Sequence, residues 1–193
     1  MDFLYNFILI TALSLGWPVQ EQSSASVKNL TLYGKIDYND QSATLIKALY
    51  SAKEGEHINI YISSEGGLVV VKDEIFKALH VTRATVSTIV VRYANSAAGL
   101  IAMYNPKGLI LTSEDTIGVH FAVVKGKMIT PKSKYWDNSI ARTNGEVLTL
   151  YAGILTKSEI LHIINGGSVY LSAKRISDGL CKVRQICGTL KNG

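Results

Sequence analysis

The 193-residue chain has only two cysteines, Cys181 and Cys187, and four histidines, and these do not cluster at the spacing that a metal site needs. No zinc site is therefore expected, and no other metal or cofactor. The two thiols could pair in an oxidising compartment, but two thiols alone say little. No nucleotide-phosphate loop is present, so the chain supplies no ATPase of its own. Internal repeats, low-complexity tracts and flexible linkers are also missing, which leaves one domain. The 20 Lys and Arg outnumber the 15 Asp and Glu, for a net charge of +5, but form no block. They are spread, with KGK (125–127) and KSK (132–134) the densest groups. That pattern is an ordinary solvated surface, and no nucleic-acid partner is expected.

The 47% hydrophobic content is enough for a sizeable core. Residues 3–17, FLYNFILITALSLGW, are mostly apolar and uncharged; Pro18 ends the run and QEQSSAS follows. The run has the length of a signal-peptide core and is short for a membrane span. No basic flank precedes it, and Asn6, Thr11 and Ser14 interrupt it. Residues 1–26 are expected to be a signal peptide or membrane anchor with a short polar linker. The alternatives are an apolar arm packed on a partner subunit and a misassigned start. The expected location is periplasmic, secreted or membrane-anchored, with cytoplasmic as the alternative, and any membrane association would run through residues 3–17. The domain proper then covers residues 27–193.

Along that domain, NLTLYG (29–34) reads as a strand. DYNDQSATLIKALYSA (37–52) reads as a helix capped by Asn39 or Asp40, with Ala43, Ile46, Leu49 and Tyr50 at helical spacing. HINIYI (57–62) is a strand, SSEGG (63–67) a turn, and 68–80 a helix on which Val71, Ile75 and Leu79 repeat. VSTIVV (86–91) is the next strand, and the Ala-rich stretch up to Tyr104 a helix. KGLILT (107–112) and TIGVHFAVV (116–124) read as strands; 138–153, 157–164 and 171–180 as helices, the last closed by Gly179; and CKVRQI (181–186) as a final strand. The alternation of strands and helices points to a layered α/β fold with parallel pairing. Both small-residue stretches, SSEGG and ANSAAG (94–99), fall where a strand gives way to a helix. In such sheets ligands sit at the carboxyl ends of the strands.

Ser96 is the candidate nucleophile, at the first turn of a helix whose leading N–H groups lack intrahelical partners and can receive negative charge. The plain alternative is a helix N-cap. Gly66 and Gly67 can turn backbone N–H groups outward, or serve as a tight turn. Among the histidines, His120 alone lies within a β-rich run beyond the serine, and an imidazole there can act as general base. A structural histidine is the alternative.

Taken together, these stretches resemble the proteolytic subunit of the Clp protease family, within the wider crotonase-like fold. YISSEGG (61–67) is similar to the family's YINSPGG, ANSAAG to AASMGA, and GVHFAV to the MIHQP region. Residues 155–183 resemble the family's helix, aspartate-bearing loop and closing LSA segment. The resemblance implies an α/β fold of repeated β-β-α and βα spiral units with a layered parallel sheet. It also implies Ser96 as nucleophile, His120 as base, and Gly67 and Ala97 N–H groups as oxyanion hole. An extended polypeptide substrate would lie along Gly66, Leu68 and Phe121. Family behaviour further implies a homo-oligomer and, in the cytoplasm, an ATP-dependent unfoldase as partner. The sequence departs from the family where the catalytic aspartate falls on Ser168, and no carboxylate lies between Glu159 and Asp178. Ser168 or Asn165 is left as the orienting third residue. Glu65, Phe121 and Ala122 also replace family residues, and the glycine-rich strand is reduced to VKGKMITPK (124–132), leaving double ring, single ring and trimer open. Besides a serine endopeptidase, three readings remain. One is a weak or inactive scaffold subunit. Another is an exported Ser–Lys enzyme of the signal-peptide-peptidase type using Lys125, Lys127, Lys132 or Lys134. The third is a crotonase-type acyl-CoA enzyme.

Overall fold

The computed structural model describes residues 26–124, 127–128 and 138–191. Three parallel strands form its centre: β1 (Val27–Ile36), β2 (His57–Gly67) and β3 (Thr85–Asn95). Each leads into a helix: α1 (Asp40–Ser51), α2 (Val69–Val81) and α3 (Ala97–Tyr104). Two short strands share the far side of β3, both parallel to it: β4 (Leu109–Ile110) beside Thr88 and Ile89, and β5 (Thr116–Val119) beside Tyr93–Asn95. β8 (Val169–Ser172) closes the edge antiparallel to β5. A hairpin of β6 (Val123–Val124) and β7 (Lys127–Met128) stands apart. The remaining helices are α4 (Asn138–Leu150), α5 (Lys157–Ile164) and α6 (Ala173–Arg184). The α/β class is as expected, but the sheet is mixed rather than wholly parallel.

Alternation sets the core. Ile58, Ile60 and Ile62 of β2 are fully buried on one face, in one core cluster with Leu45 and Leu49 of α1 and Val71 and Ile75 of α2. Each such side chain stabilises the fold by about 1.5–3 kcal/mol relative to exposure. Asn39 caps α1 by accepting the Ser42 N–H at 3.0 Å. The buried stripe of α1 is Ser42, Leu45 and Leu49; Ala43 and Tyr50, expected on that face, point outward.

The C-terminal region differs from expectation. Gly179 does not end the last helix but lies inside it, because its missing side chain makes room for Ile154, whose Cγ1 would be 2.8 Å from an added Cβ. Ala173, Ile176 and Leu180 continue a helical stripe, so Cys181–Arg184 are helix rather than strand. Gln185 stops α6 in a left-handed conformation, and Cys181 is disulfide-bonded to Cys187.

The expected membrane anchor is corrected. Among the described residues no helix is long and apolar enough to cross a membrane, so the signal-peptide and membrane-anchored or secreted placement loses its structural support. The segment at 3–17 lies outside the described residues.

A bidentate ion pair ties α5 to α6. Arg175 donates to both carboxylate oxygens of Glu159 at 2.5 Å, and Glu159 closes a capping box with Thr156. The Arg175 hydrogen bonds, then those from Thr156, outweigh partial burial and hold the Glu159 carboxyl at about 2. The folded value lies below the unfolded one, so the pair stabilises above pH about 4.5 and is lost as pH falls toward 2. Because both partners are partly exposed, Arg175→Ala is expected to cost on the order of 1 kcal/mol at pH 7. In urea melts the gap from the parent protein should shrink from pH 4.5 to 2.

Candidate active site

The SSEGG stretch is the end of β2, and its small residues are needed where they stand. Ser64 is buried, donates to the Gly34 carbonyl and accepts the Gly66 N–H at 3.0 Å. Gly66 has φ +94°, and an added Cβ would lie 2.8 Å from the Ser96 Cβ and 3.0 Å from the Ala97 nitrogen. Gly67 presses equally close to β1: a Cβ would fall 2.0 Å from the Ile36 carbonyl oxygen. A larger residue at position 66 would push β2 off the ANSAAG turn, and one at position 67 would push it off β1.

That turn is a strand-to-helix elbow. Ser96 has φ 55° and ψ −124°, a conformation that costs a non-glycine residue on the order of 1–3 kcal/mol. Its N–H donates to the Gly118 carbonyl at 2.8 Å, and its own carbonyl accepts the Leu100 N–H at 3.1 Å. Ser96 is the N-cap residue of α3, yet its hydroxyl makes no capping hydrogen bond. Of the two sequence alternatives, position favours the cap and the side chain does not perform it. Gly99 leaves room for Tyr151, whose hydroxyl would sit 2.9 Å from an added Cβ. Tyr151 is buried with its hydroxyl unpaired, and burial pushes its phenol well above the usual range.

His120 lies just past the end of β5, not inside a strand as expected. Its Nδ1 is 2.5 Å from the Phe121 carbonyl oxygen. A carbonyl only accepts, so a hydrogen bond here needs the proton on Nδ1, and in that neutral tautomer the lone pair is on Nε2. The Phe121 side chain is 2% exposed and belongs to the core, so what that residue offers the site is its carbonyl. Leu68 occupies the N-cap position of α2 without a side-chain capping bond and is 37% exposed.

Ser96, His120, Gly67 and Ala97 line one cavity of about 80 Å3 with Val69, Lys72, Leu100, Ala122, Thr143 and Val147. Ser96 and His120 are both half-buried there, but no hydrogen bond joins them. Val119–Val169 is the last pair of the β5–β8 ladder; His120 follows Val119 and Ser168 precedes Val169, both outside the paired residues. Asn165 is exposed at the C-cap of α5. Neither side chain bonds the imidazole.

Sequence reasoning missed the wall contributed by α2 and α4. Lys72 is fully buried, one position from the Val71–Ile75 stripe. Its ammonium binds Glu146 of α4, lies 2.6 Å from Asp73, and sits 4.5 Å above the Phe76 ring. Arg142 joins the cluster through Asp73 at 2.5 Å. A lysine inside an apolar helical face was the available signal. Two carboxylates and the Phe76 ring hold Lys72 in place on the wall of the cavity that Ser96 and His120 line. Of the lysines considered for a Ser–Lys centre, Lys125, Lys132 and Lys134 lie outside the described residues, as does the Lys127 side chain. Among the described residues no group of His, Cys, Asp or Glu could hold a metal ion.

Residues 22–154 match the family described as Clp protease. The chain belongs to the Clp protease family. No curated protein matches it by sequence. Among solved structures it is similar to ClpP1 from Listeria monocytogenes, with a TM-score of 0.62 at 20% identity, covering 86% of this chain and 91% of that one. A point mutant of the same Listeria protein gives a TM-score of 0.63 at 17% identity, covering 86% and 92%. At these identities the structural likeness speaks for the fold, a Clp-protease-like topology.

Proposed function

We propose that this Clp protease family member is a serine endopeptidase acting on unfolded or extended polypeptides. The observation that carries the reading is the elbow. Ser96 is held in a strained conformation at a helix N-terminus, its hydroxyl is not spent on capping, and it shares a cavity with His120. Apo sites often carry catalytic hydrogen bonds that close only with substrate, so the unjoined pair is compatible with this chemistry.

In the proposed reaction Ser96 Oγ attacks the scissile carbonyl carbon while His120 Nε2 takes the hydroxyl proton. The oxyanion is held by the Gly67 and Ala97 N–H groups. The C–N bond then breaks, the imidazolium returns its proton to the leaving amine, and water clears the acyl-enzyme by the reverse sequence. Substrate would lie as an added strand past Gly66, Gly67 and Leu68. Ser168, one residue beyond the Val119–Val169 pair as His120 is, is taken as the better of the two third-residue candidates. A hydroxyl or carbonyl partner stabilises imidazolium less than a carboxylate, so slow turnover is expected.

A homo-oligomer belongs to the same proposal, as does the spiral repeat implied by the family. Parallel sheets are ordinarily covered on both faces. Here β2 and β3 leave His57, Asn59, Tyr61, Ser87 and Ile89 only half-buried on the face opposite Ile58, Ile60 and Ile62. A second copy is the proposed cover. Folded substrates would need a separate ATP-driven unfoldase.

A second reading, an inactive scaffold subunit, is favoured by the absence of a carboxylate at position 168. Incubation with an unfolded polypeptide, followed by mass mapping of new termini, separates the two. The endopeptidase reading expects internal cleavage; intact substrate across pH 6–9 favours the scaffold.

A further inference from the structure

The segment after His120 is held by no strand ladder, since β5 ends at Val119 and β6 begins at Val123. What fixes it comes from α4. Asn144 is 1% exposed, and its side-chain oxygen accepts the Ala122 N–H at 2.8 Å. A backbone N–H can only donate, so the orientation of the amide is settled by chemistry. That N–H belongs to the same peptide group as the Phe121 carbonyl, which accepts the His120 Nδ1 proton at 2.5 Å. The three groups form one chain: imidazole N–H to peptide carbonyl, and peptide N–H to Asn144.

We infer that Asn144 is a positioning residue for His120, acting through the Phe121–Ala122 peptide in place of the missing carboxylate. Two effects follow. Asn144 stops the peptide from rotating, so the carbonyl stays aimed at Nδ1 and the Nε2 lone pair stays available. A hydrogen bond accepted from the N–H end also polarises the peptide, which makes its carbonyl a better acceptor. The inference rests on the reading of Ser96 and His120 as the reacting pair, but its geometry does not depend on turnover.

The test uses the full chain and three readouts. Nitrogen-15 NMR of histidine-labelled protein, assigned by difference against His120→Gln, is expected to show the Nδ1–H tautomer for His120. In Asn144→Leu, similar in size but without an acceptor, the Nε2–H form should become populated. In the same variant kcat should fall about tenfold or more with KM within about twofold, because the loss lies in the reacting base and not in substrate binding. Asn144→Asp keeps the acceptor and should restore both the tautomer and kcat. An Nε2–H tautomer in the parent protein overturns the inference, as does a folded Asn144→Leu with parental kcat and tautomer. Should Asn144→Leu fail to fold, the parental tautomer and the Asp variant decide. If the protein proves inactive as a peptidase, the proposed function fails while the tautomer comparison still gives its own answer.

Discussion

Replacement of Ser96 by alanine is expected to reduce peptide hydrolysis at least about a thousandfold while leaving the fold almost untouched. The loss follows from the chemistry: without Oγ no acyl-enzyme forms, and the oxyanion donors alone give only residual rate. The fold is spared for structural reasons. The Ser96 hydroxyl caps nothing, and the bonds that hold the elbow, to the Gly118 carbonyl and from the Leu100 N–H, are made by the backbone. Alanine at φ 55° is no more strained than serine. The melting temperature should therefore stay within about 2 °C of the parent, which is under 1 kcal/mol for a chain of this size. Equal hydrolysis by the two proteins would remove Ser96 from the mechanism.

Ser168→Asp should move activity the other way. The ladder between β5 and β8 runs Thr116–Ser172 to Val119–Val169, and its continuation by one step would bring position 168 beside His120. A carboxylate there would draw the Nδ1 proton away from the Phe121 carbonyl and stabilise the imidazolium formed during acylation. Triad carboxylates are worth up to about ten-thousandfold in kcat. Asn144 and the carbonyl already supply orientation, so a gain of about ten- to a thousandfold is expected here. The acid-side limb of the pH profile, where the ring must lose its proton to act as base, should shift upward, since a nearby negative charge favours the protonated ring. Position 168 is half-buried, and part of the gain comes with a stability cost of about 1 kcal/mol. A folded Ser168→Asp protein with unchanged or lower kcat would mean that the ring does not face this position.

Much of the fold was legible because strands and helices here carry clean periodicity. HINIYI alternates, the Val71–Ile75 stripe repeats every four, and Asn39 is a cap in sequence and in structure. The C-terminal strand reading failed for a local reason. CKVRQI alternates like a strand, but Leu180 and Ile176 had already committed the face to helix, and Gly179 marks a close contact with Ile154 rather than a stop. Within the site, the glycines and the Ser96 elbow could be read because steric demand leaves small residues in the sequence. Asn144 could not, since its partner, the Ala122 N–H, lies 22 residues away and no local pattern announces it; Lys72 showed only as a lysine on an apolar helical face, its partner Glu146 lying 74 residues away. That a peptide carbonyl faces the His120 Nδ1 could not be read from the sequence, because every residue has a carbonyl.

The most direct test of the account is covalent labelling of the folded protein with a serine-reactive phosphonate, read by intact mass and peptide mapping. An activated Ser96 predicts one adduct per chain, on the peptide that contains residues 94–99, absent in Ser96→Ala and strongly slowed in His120→Ala. No adduct on the native protein, or an adduct formed equally fast without His120, would contradict the claim that these two side chains form one reacting centre.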